Sequence, residues 1–120
     1  MKKILLVEDD PFLIEIYTTK FKQAGFIVDV VENGEQCLKR VSEDKPDVLI
    51  LDIVLPDMDG WGVLKEIKKN SQFKDMKVII LSNLGEKGEI EKGINLGAVR
   101  YFVKAHYAPS EIVEEVKKIL

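Results

Sequence analysis

Five short apolar runs, each followed by a segment with helical spacing, constrain the fold of this chain more than any other feature. They lie at residues 4–7, 27–31, 48–51, 78–81 and 101–103 and consist mainly of Val, Ile and Leu, with Tyr and Phe in the last. Strands that alternate with helices predict a parallel sheet, because a parallel neighbour is reached only through a crossover segment. Three of the runs show no clear polar alternation, as strands covered by helices on both faces require, whereas 27–31 includes Asp29 and reads as nearer an edge. The expected architecture is α/β: a five-stranded, doubly wound parallel sheet between two helical layers, a three-layer sandwich.

The first helix is marked by Asp10 as its cap, Pro11 in its first turn and Gly25 at its end, with Leu13, Ile16, Tyr17 and Phe21 along one side. A second is expected over 34–41 after Asn33, and a third over 61–69 with Leu64 and Ile67 inward. The last carries Ile112, Val113, Val116, Ile119 and Leu120 at helical spacing. The fourth, 86–96, is the weakest, because Gly85, Gly88 and Gly93 interrupt it and each interior glycine lowers helix stability by roughly 1 kcal/mol.

A chain of 120 residues suits one domain, expected over 1–120. With 18 basic against 21 acidic residues the net charge is −3, so the broad positive footprint that holds a polyanion is missing and nucleic acid is not expected as a direct partner. No run reaches the roughly 18 apolar residues of a spanning helix. The apolar run after Lys2 and Lys3 is halted by Glu8-Asp9-Asp10, unlike a signal peptide, and the expected location is cytoplasmic with no membrane partner. The lone Cys37 cannot form an internal disulfide and reads as a small buried hydrophobe.

Functional groups gather at the carboxyl ends of parallel strands, where the connecting loops form a crevice. Glu8, Asp9 and Asp10 follow the first run, Asp52 the third, Ser82 and Asn83 the fourth, and Lys104 the fifth. Carboxylates crowded at one edge repel unless a cation or a lysine compensates. Mg²⁺, which takes oxygen ligands and keeps several waters, suits such a cluster, and Mn²⁺ could replace it. An oxygen nucleophile, a divalent metal and a fixed positive group are the parts that phosphoryl transfer requires. Asp10 is better explained as a helix cap, and Asp57 and Asp59 as turn residues, so none of the three is counted as a ligand. His106 has no second histidine or cysteine with which to share a metal and is given no role.

The segments Ile4-Leu5-Leu6-Val7-Glu8-Asp9-Asp10, Leu51-Asp52-Ile53-Val54-Leu55-Pro56-Asp57-Met58-Asp59-Gly60, Val78-Ile79-Ile80-Leu81-Ser82 and Tyr101-Phe102-Val103-Lys104 resemble, in order and spacing, the motifs of bacterial two-component response-regulator receiver domains. The resemblance spans the whole chain and implies the (βα)5 flavodoxin-like receiver fold. It further implies that Asp52 accepts a phosphoryl group, and that Asp9, Asp52 and the backbone carbonyl of Val54 bind Mg²⁺, with Glu8 helping through water. Lys104 would contact the phosphoryl group. Ser82 would be the switch hydroxyl, and Tyr101 the aromatic whose rotation reports the switch on the surface of the fourth helix, fifth strand and fifth helix, where an unknown output protein binds. The implied donor is a phosphohistidine on a sensor histidine kinase or phosphotransfer protein, and the implied state is a monomer or a dimer promoted by phosphorylation. In this family the phosphoryl lifetime depends partly on the residues two after the acceptor and two after the switch hydroxyl. Here both, Val54 and Leu84, are apolar, which implies slow self-dephosphorylation; Asn83 between them is expected to point away from Ser82 and Leu84, as in an extended segment.

The chain departs from the family pattern at three positions. Ala105 stands where a cis proline usually follows the lysine, and a non-proline cis bond costs about 2.5–4 kcal/mol, which leaves the shape of that loop open. Asn83 replaces the usual small residue and is expected to narrow access to the site, and Ala108 replaces a capping Ser or Thr before Pro109, so the last helix is expected to fray. One rival is a phosphohydrolase of the haloacid-dehalogenase kind, which wants a second Asp where Val54 stands. Another is a flavodoxin-like cofactor binder, for which no phosphate loop is present. A receiver-like interaction module that is never phosphorylated is the third.

Overall fold

The computed structural model describes residues 2–120. Five parallel strands, β1 (Lys3–Val7), β2 (Ile27–Val31), β3 (Val48–Leu51), β4 (Lys77–Ser82) and β5 (Arg100–Val103), form one sheet in the order β2-β1-β3-β4-β5. Each strand matches its sequence expectation to within one residue at either end. Ile27–Val31 lies at an edge, as Asp29 suggested. Five helices connect the strands: α1 (Pro11–Gln23), α2 (Gly34–Glu43), α3 (Gly60–Lys69), α4 (Lys87–Asn95) and α5 (Pro109–Ile119). Two short 3-10 turns, Ser71–Phe73 and Lys104–His106, have no counterpart in the sequence expectation.

The two-residue period of the strands divides the core into two layers. Ile4, Leu6, Ile50 and Phe102 pack with Tyr17 and Phe21 of α1 and with Ile112 and Val116 of α5. Their neighbours Leu5, Val7, Leu49 and Leu51 face the other way, against Cys37 and Val41 of α2 and Val63, Leu64 and Ile67 of α3. Each fully buried Leu or Ile contributes roughly 1.5–3 kcal/mol, so the sheet centre, with β1 and β3 buried from residue 4 and residue 48 onward, is the most strongly fixed part of the molecule. Burial pushes the Cys37 thiol up to about 12, consistent with an inert core residue.

The caps at Asp10 and Asn33 follow the sequence, whereas Asp59, expected only as a turn residue, caps α3. Asp10 accepts from the amides of Phe12 and Leu13 at the start of α1, Asn33 from Gln36 in α2, and Asp59 from Gly62 in α3. α5 differs from expectation: Ala108 has no side-chain acceptor, but the Glu111 carboxylate reaches back to accept from the Ala108 amide at 2.8 Å, which supports the helix start. α4 is short, and only Gly88 and Gly93 lie inside it. A Cβ at Gly93 would stand 2.6 Å from Ile80 Cδ1 and 2.8 Å from Tyr101 Cδ2, so this glycine lets α4 approach the sheet closely.

From β1 the chain passes to β2 on one side and returns to β3 on the other. At this reversal the loops beyond β1 and β3 diverge and leave a crevice at the strand carboxyl ends.

Candidate functional site

Register fixes what meets in the crevice. Val7 pairs with Leu51, so Glu8 and Asp52 leave their strands at the same level. The loop after Asp52 closes at once: the Gly60 amide donates to the Ile53 carbonyl at 2.7 Å, and a Cβ on Gly60 would lie 2.5 Å from the Asp52 carbonyl oxygen. Only glycine fits there without moving the backbone that carries Asp52. Lys104, one residue beyond β5, reaches across the end of β4 to the same point.

Lys104 Nζ lies 2.6 Å from Asp52 Oδ2 and 2.5 Å from Glu8 Oε1. Glu8 is 2% exposed and Asp52 5%, and the Lys104 side chain is almost as enclosed. Asp9 stands at the solvent side of the cluster, and one carboxylate oxygen each from Glu8, Asp9 and Asp52 lie within 4.8 Å of one another. The remaining acceptors are partly satisfied by backbone: Glu8 Oε2 accepts from the amides of Asp9 and Asp10, and Asp52 Oδ1 from the Val54 amide at 3.1 Å.

Burial raises the Glu8 carboxyl above the usual carboxylate range even though Lys104 opposes it, and the charge of Asp52 adds to the rise. For Lys104, burial is the largest single influence and acts to lower its affinity for a proton. The hydrogen bonds and charges of Asp52 and Glu8 together outweigh it, so the ammonium is held charged. Three carboxylates thus face one ammonium. The donor set is entirely oxygen and in excess of its counter-charge, which fits a hard divalent cation.

An open cavity of about 360 Å³ lies over the cluster, lined by Glu8, Asp9, Asp52, Val54, Asn83 and Lys104 among others. It has space for roughly ten waters at bulk density, enough for a hydrated cation beside a phosphoryl group. Asn83 lines this cavity, whereas Leu84 lines a neighbouring groove with Trp61 and Val54. The chain turns at this point: the Leu84 amide donates back to Ser82 Oγ at 3.3 Å, a side-chain turn that ends the extended segment.

Ser82 is fully buried at the end of β4. Tyr101 is half-buried, and its hydroxyl donates to the Leu84 carbonyl. The Leu84 backbone is therefore held on both sides of its Cα, by Ser82 through its amide and by Tyr101 through its carbonyl, a link that sequence reasoning missed. Burial, with the nearby charge of Glu89, pushes the Tyr101 phenol up to about 12, so it remains a donor. Asp10, Asp57 and Asp59 lie outside the carboxylate cluster. The described residues contain no cis peptide, so Lys104–Ala105 is trans, and Lys104 begins the turn that leads toward α5.

Comparison with known proteins agrees with this geometry. The profile of the response regulator receiver domain matches residues 4–117. The chain is 36% identical to the transcriptional regulatory protein CusR of Escherichia coli strain K12 over 98% of its length and 51% of that protein's. It is 31% identical to the alkaline phosphatase synthesis transcriptional regulatory protein PhoP of Bacillus subtilis over 99% of its length and 48% of that protein's. The chain therefore spans about half the length of these relatives. Among solved structures, the receiver domain of the Francisella response regulator 1452 superposes with a TM-score of 0.90 at 28% identity, covering 99% of this chain and 96% of that one. None of the described helices is long and apolar enough to cross a membrane. The chain belongs to the response regulator receiver domains of two-component signalling systems.

Proposed function

We propose that this receiver domain is switched by a phosphoryl group carried on Asp52. The observation that carries the reading is the position of Asp52: a buried carboxylate at a strand end, 2.6 Å from a charged lysine and beside two further carboxylates, at the floor of a cavity open to solvent. The donor is a phosphohistidine of a sensor kinase or phosphotransfer protein. The P–N bond to the donor imidazole breaks, the bond from phosphorus to an Asp52 oxygen forms, and the imidazole keeps the electron pair of the broken bond. Asp9, Asp52 and the Val54 carbonyl would hold Mg²⁺ or Mn²⁺, with Glu8 helping through water, and the ion would supply positive charge to offset that of the phosphoryl oxygens.

The chain's own groups do the rest. Lys104, already against Asp52, moves its ammonium to a phosphoryl oxygen. The Ser82 hydroxyl turns to a second phosphoryl oxygen and releases the Leu84 amide, and Tyr101 follows because it holds the carbonyl of the same residue. The change reaches the α4, β5 and α5 surface, where a protein partner binds. CusR and PhoP are named as transcriptional regulators, and this chain covers about half the length of each. For the receiver domain itself the output we propose is a protein contact.

Intact-mass measurement after incubation with acetyl phosphate and Mg²⁺ tests the reading. One added phosphoryl group is expected, absent in Asp52→Asn and in excess chelator. Unchanged labelling in either control overturns it, and steady release of phosphate from phosphate esters favours the phosphohydrolase alternative instead.

A further inference from the structure

The loop of residues 52–60 is anchored at its base by Gly60, packed on the Asp52 and Ile53 backbone. A second anchor lies at its tip and involves a residue that belongs to no part of the site described so far. Asp57 Oδ1 accepts from the amides of Gly34 at 2.8 Å and Met58 at 2.9 Å, and Oδ2 accepts from the Glu35 amide at 2.9 Å. Gly34 and Glu35 are the first two residues of α2, so Asp57 satisfies two of that helix's free amides from across the molecule. Packing reinforces the clasp: a Cβ on Gly34 would stand 2.4 Å from Met58 Cγ and 2.9 Å from Val63 Cγ2. The amides of Glu35 and Gly34 hold the Asp57 carboxyl below the usual range, so both oxygens remain acceptors at neutral pH.

Val54 sits between the two anchors. Its amide donates to Asp52 Oδ1, and it lines the cavity above the carboxylate cluster. The residue is 58% exposed and its side chain contributes little to fixing the backbone, so the orientation of the Val54 peptide depends on the ends of the loop. We infer that Asp57 is a positioning residue for the cation site: by tying the loop to α2 it presets the Val54 carbonyl as a ligand. This inference rests on the proposed cation site, in which Val54 supplies a backbone oxygen. Groups that orient a ligand without touching the metal commonly alter metal affinity by about tenfold or more.

The test uses Asn33 as a control. Asn33 also caps α2, but its side chain accepts from Gln36 within that helix, where Asp57 reaches it from the 52–60 loop. Mg²⁺ affinity is measured by calorimetry on the full chain for the wild type, Asp57→Ala, Asp57→Asn and Asn33→Ala, with folding checked by urea unfolding. Asp57→Ala is expected to bind Mg²⁺ about tenfold more weakly. Asp57→Asn, which keeps one acceptor oxygen, should fall between it and the wild type. Asn33→Ala should lose stability and keep its affinity. In chelator, amide exchange at Val54 should quicken in Asp57→Ala and not in Asn33→Ala, a readout that needs no metal. Wild-type affinity in Asp57→Ala, or an equal loss in Asn33→Ala, overturns the positioning role alone. Absence of Mg²⁺ binding by the wild type overturns the cation site and this role with it.

Discussion

Lys104 Nζ donates to Asp52 Oδ2 at 2.6 Å across 52 residues of sequence and across the end of the intervening strand β4. The contact holds two strand ends that are not neighbours in the sheet, and its ammonium also meets Glu8. The structural and functional demands on Lys104 are therefore linked: the charge that a phosphoryl group would use is the charge that offsets the repulsion between two buried carboxylates.

Lys104→Met should destabilise the metal-free protein by about 3 kcal/mol at pH 7, the low end of the range for breaking a buried ion pair, because the cavity admits water. Urea unfolding in chelator measures this. Mg²⁺ should restore part of the loss, since it supplies positive charge to the same carboxylates. Equal stability of variant and wild type in chelator would show that the pair is solvated in solution.

A pH dependence follows from Asp57. Its folded-state pKa lies below the ordinary 3.8, principally through the amides of Glu35 and Gly34, so its contribution to stability is complete above 3.8 and is lost as pH falls through the depressed value. The difference in unfolding free energy between wild type and Asp57→Ala should thus be constant from pH 7 to pH 5 and shrink under strong acid. A difference that grows toward acid would contradict the hydrogen bonds assigned to this carboxylate.

Ser82 and Tyr101 hold the backbone of the same residue, Leu84, through its amide and its carbonyl, so their effects should not add. A double-mutant cycle with Ser82→Ala and Tyr101→Phe is expected to give a coupling energy of about 0.5–1 kcal/mol, within the range for residues that share a partner. Neither substitution removes a proposed cation ligand, so Mg²⁺ affinity should stay at the wild-type value. Strict additivity would mean that Leu84 does not transmit between the two.

The strand positions, helix caps and acidic crevice were legible from the sequence because each depends on local chemistry: unbroken apolar runs, Asp10 before Pro11, and carboxylates directly after strands. The Asp57 clasp was not, since its partners lie 22 and 23 residues away and a turn explains the same aspartate equally well. The reach of the Ser82 hydroxyl to the Leu84 amide was not legible either. The alternation rule holds only while the chain is extended, and the Ser82 hydroxyl ends that extension within two residues. Gly93 was read as a weakness in α4, but in the fold it is the contact point of that helix with Ile80 and Tyr101.

Gly93→Ala tests that last point. Helix propensity alone favours alanine by about 1 kcal/mol, whereas the added Cβ would overlap the Ile80 side chain and the Tyr101 ring. The clash should dominate, giving net destabilisation of about 1 kcal/mol or more and altered shifts at Tyr101. A more stable variant with an unchanged Tyr101 signal would show that α4 accommodates the methyl group by sliding.

The lifetime of the phosphorylated state depends on whether a side chain in the cavity can orient a water in line with the aspartyl phosphate. Val54 and Leu84 are both apolar and supply no hydrogen bond, which favours slow loss. Their positions differ, however: Val54 borders the acidic cavity, and Leu84 faces the neighbouring groove beside Trp61. Asn83 is the uncharged polar side chain at the cavity wall and the one able to hold a water without repelling the phosphoryl oxygens. Phosphate release after removal of acetyl phosphate should therefore be slow in the wild type, faster in Val54→Asn, slower still in Asn83→Leu, and little changed in Leu84→Glu. If Leu84→Glu accelerates release as much as Val54→Asn, the Leu84 position controls the water and the orientation of these two side chains does not set the lifetime.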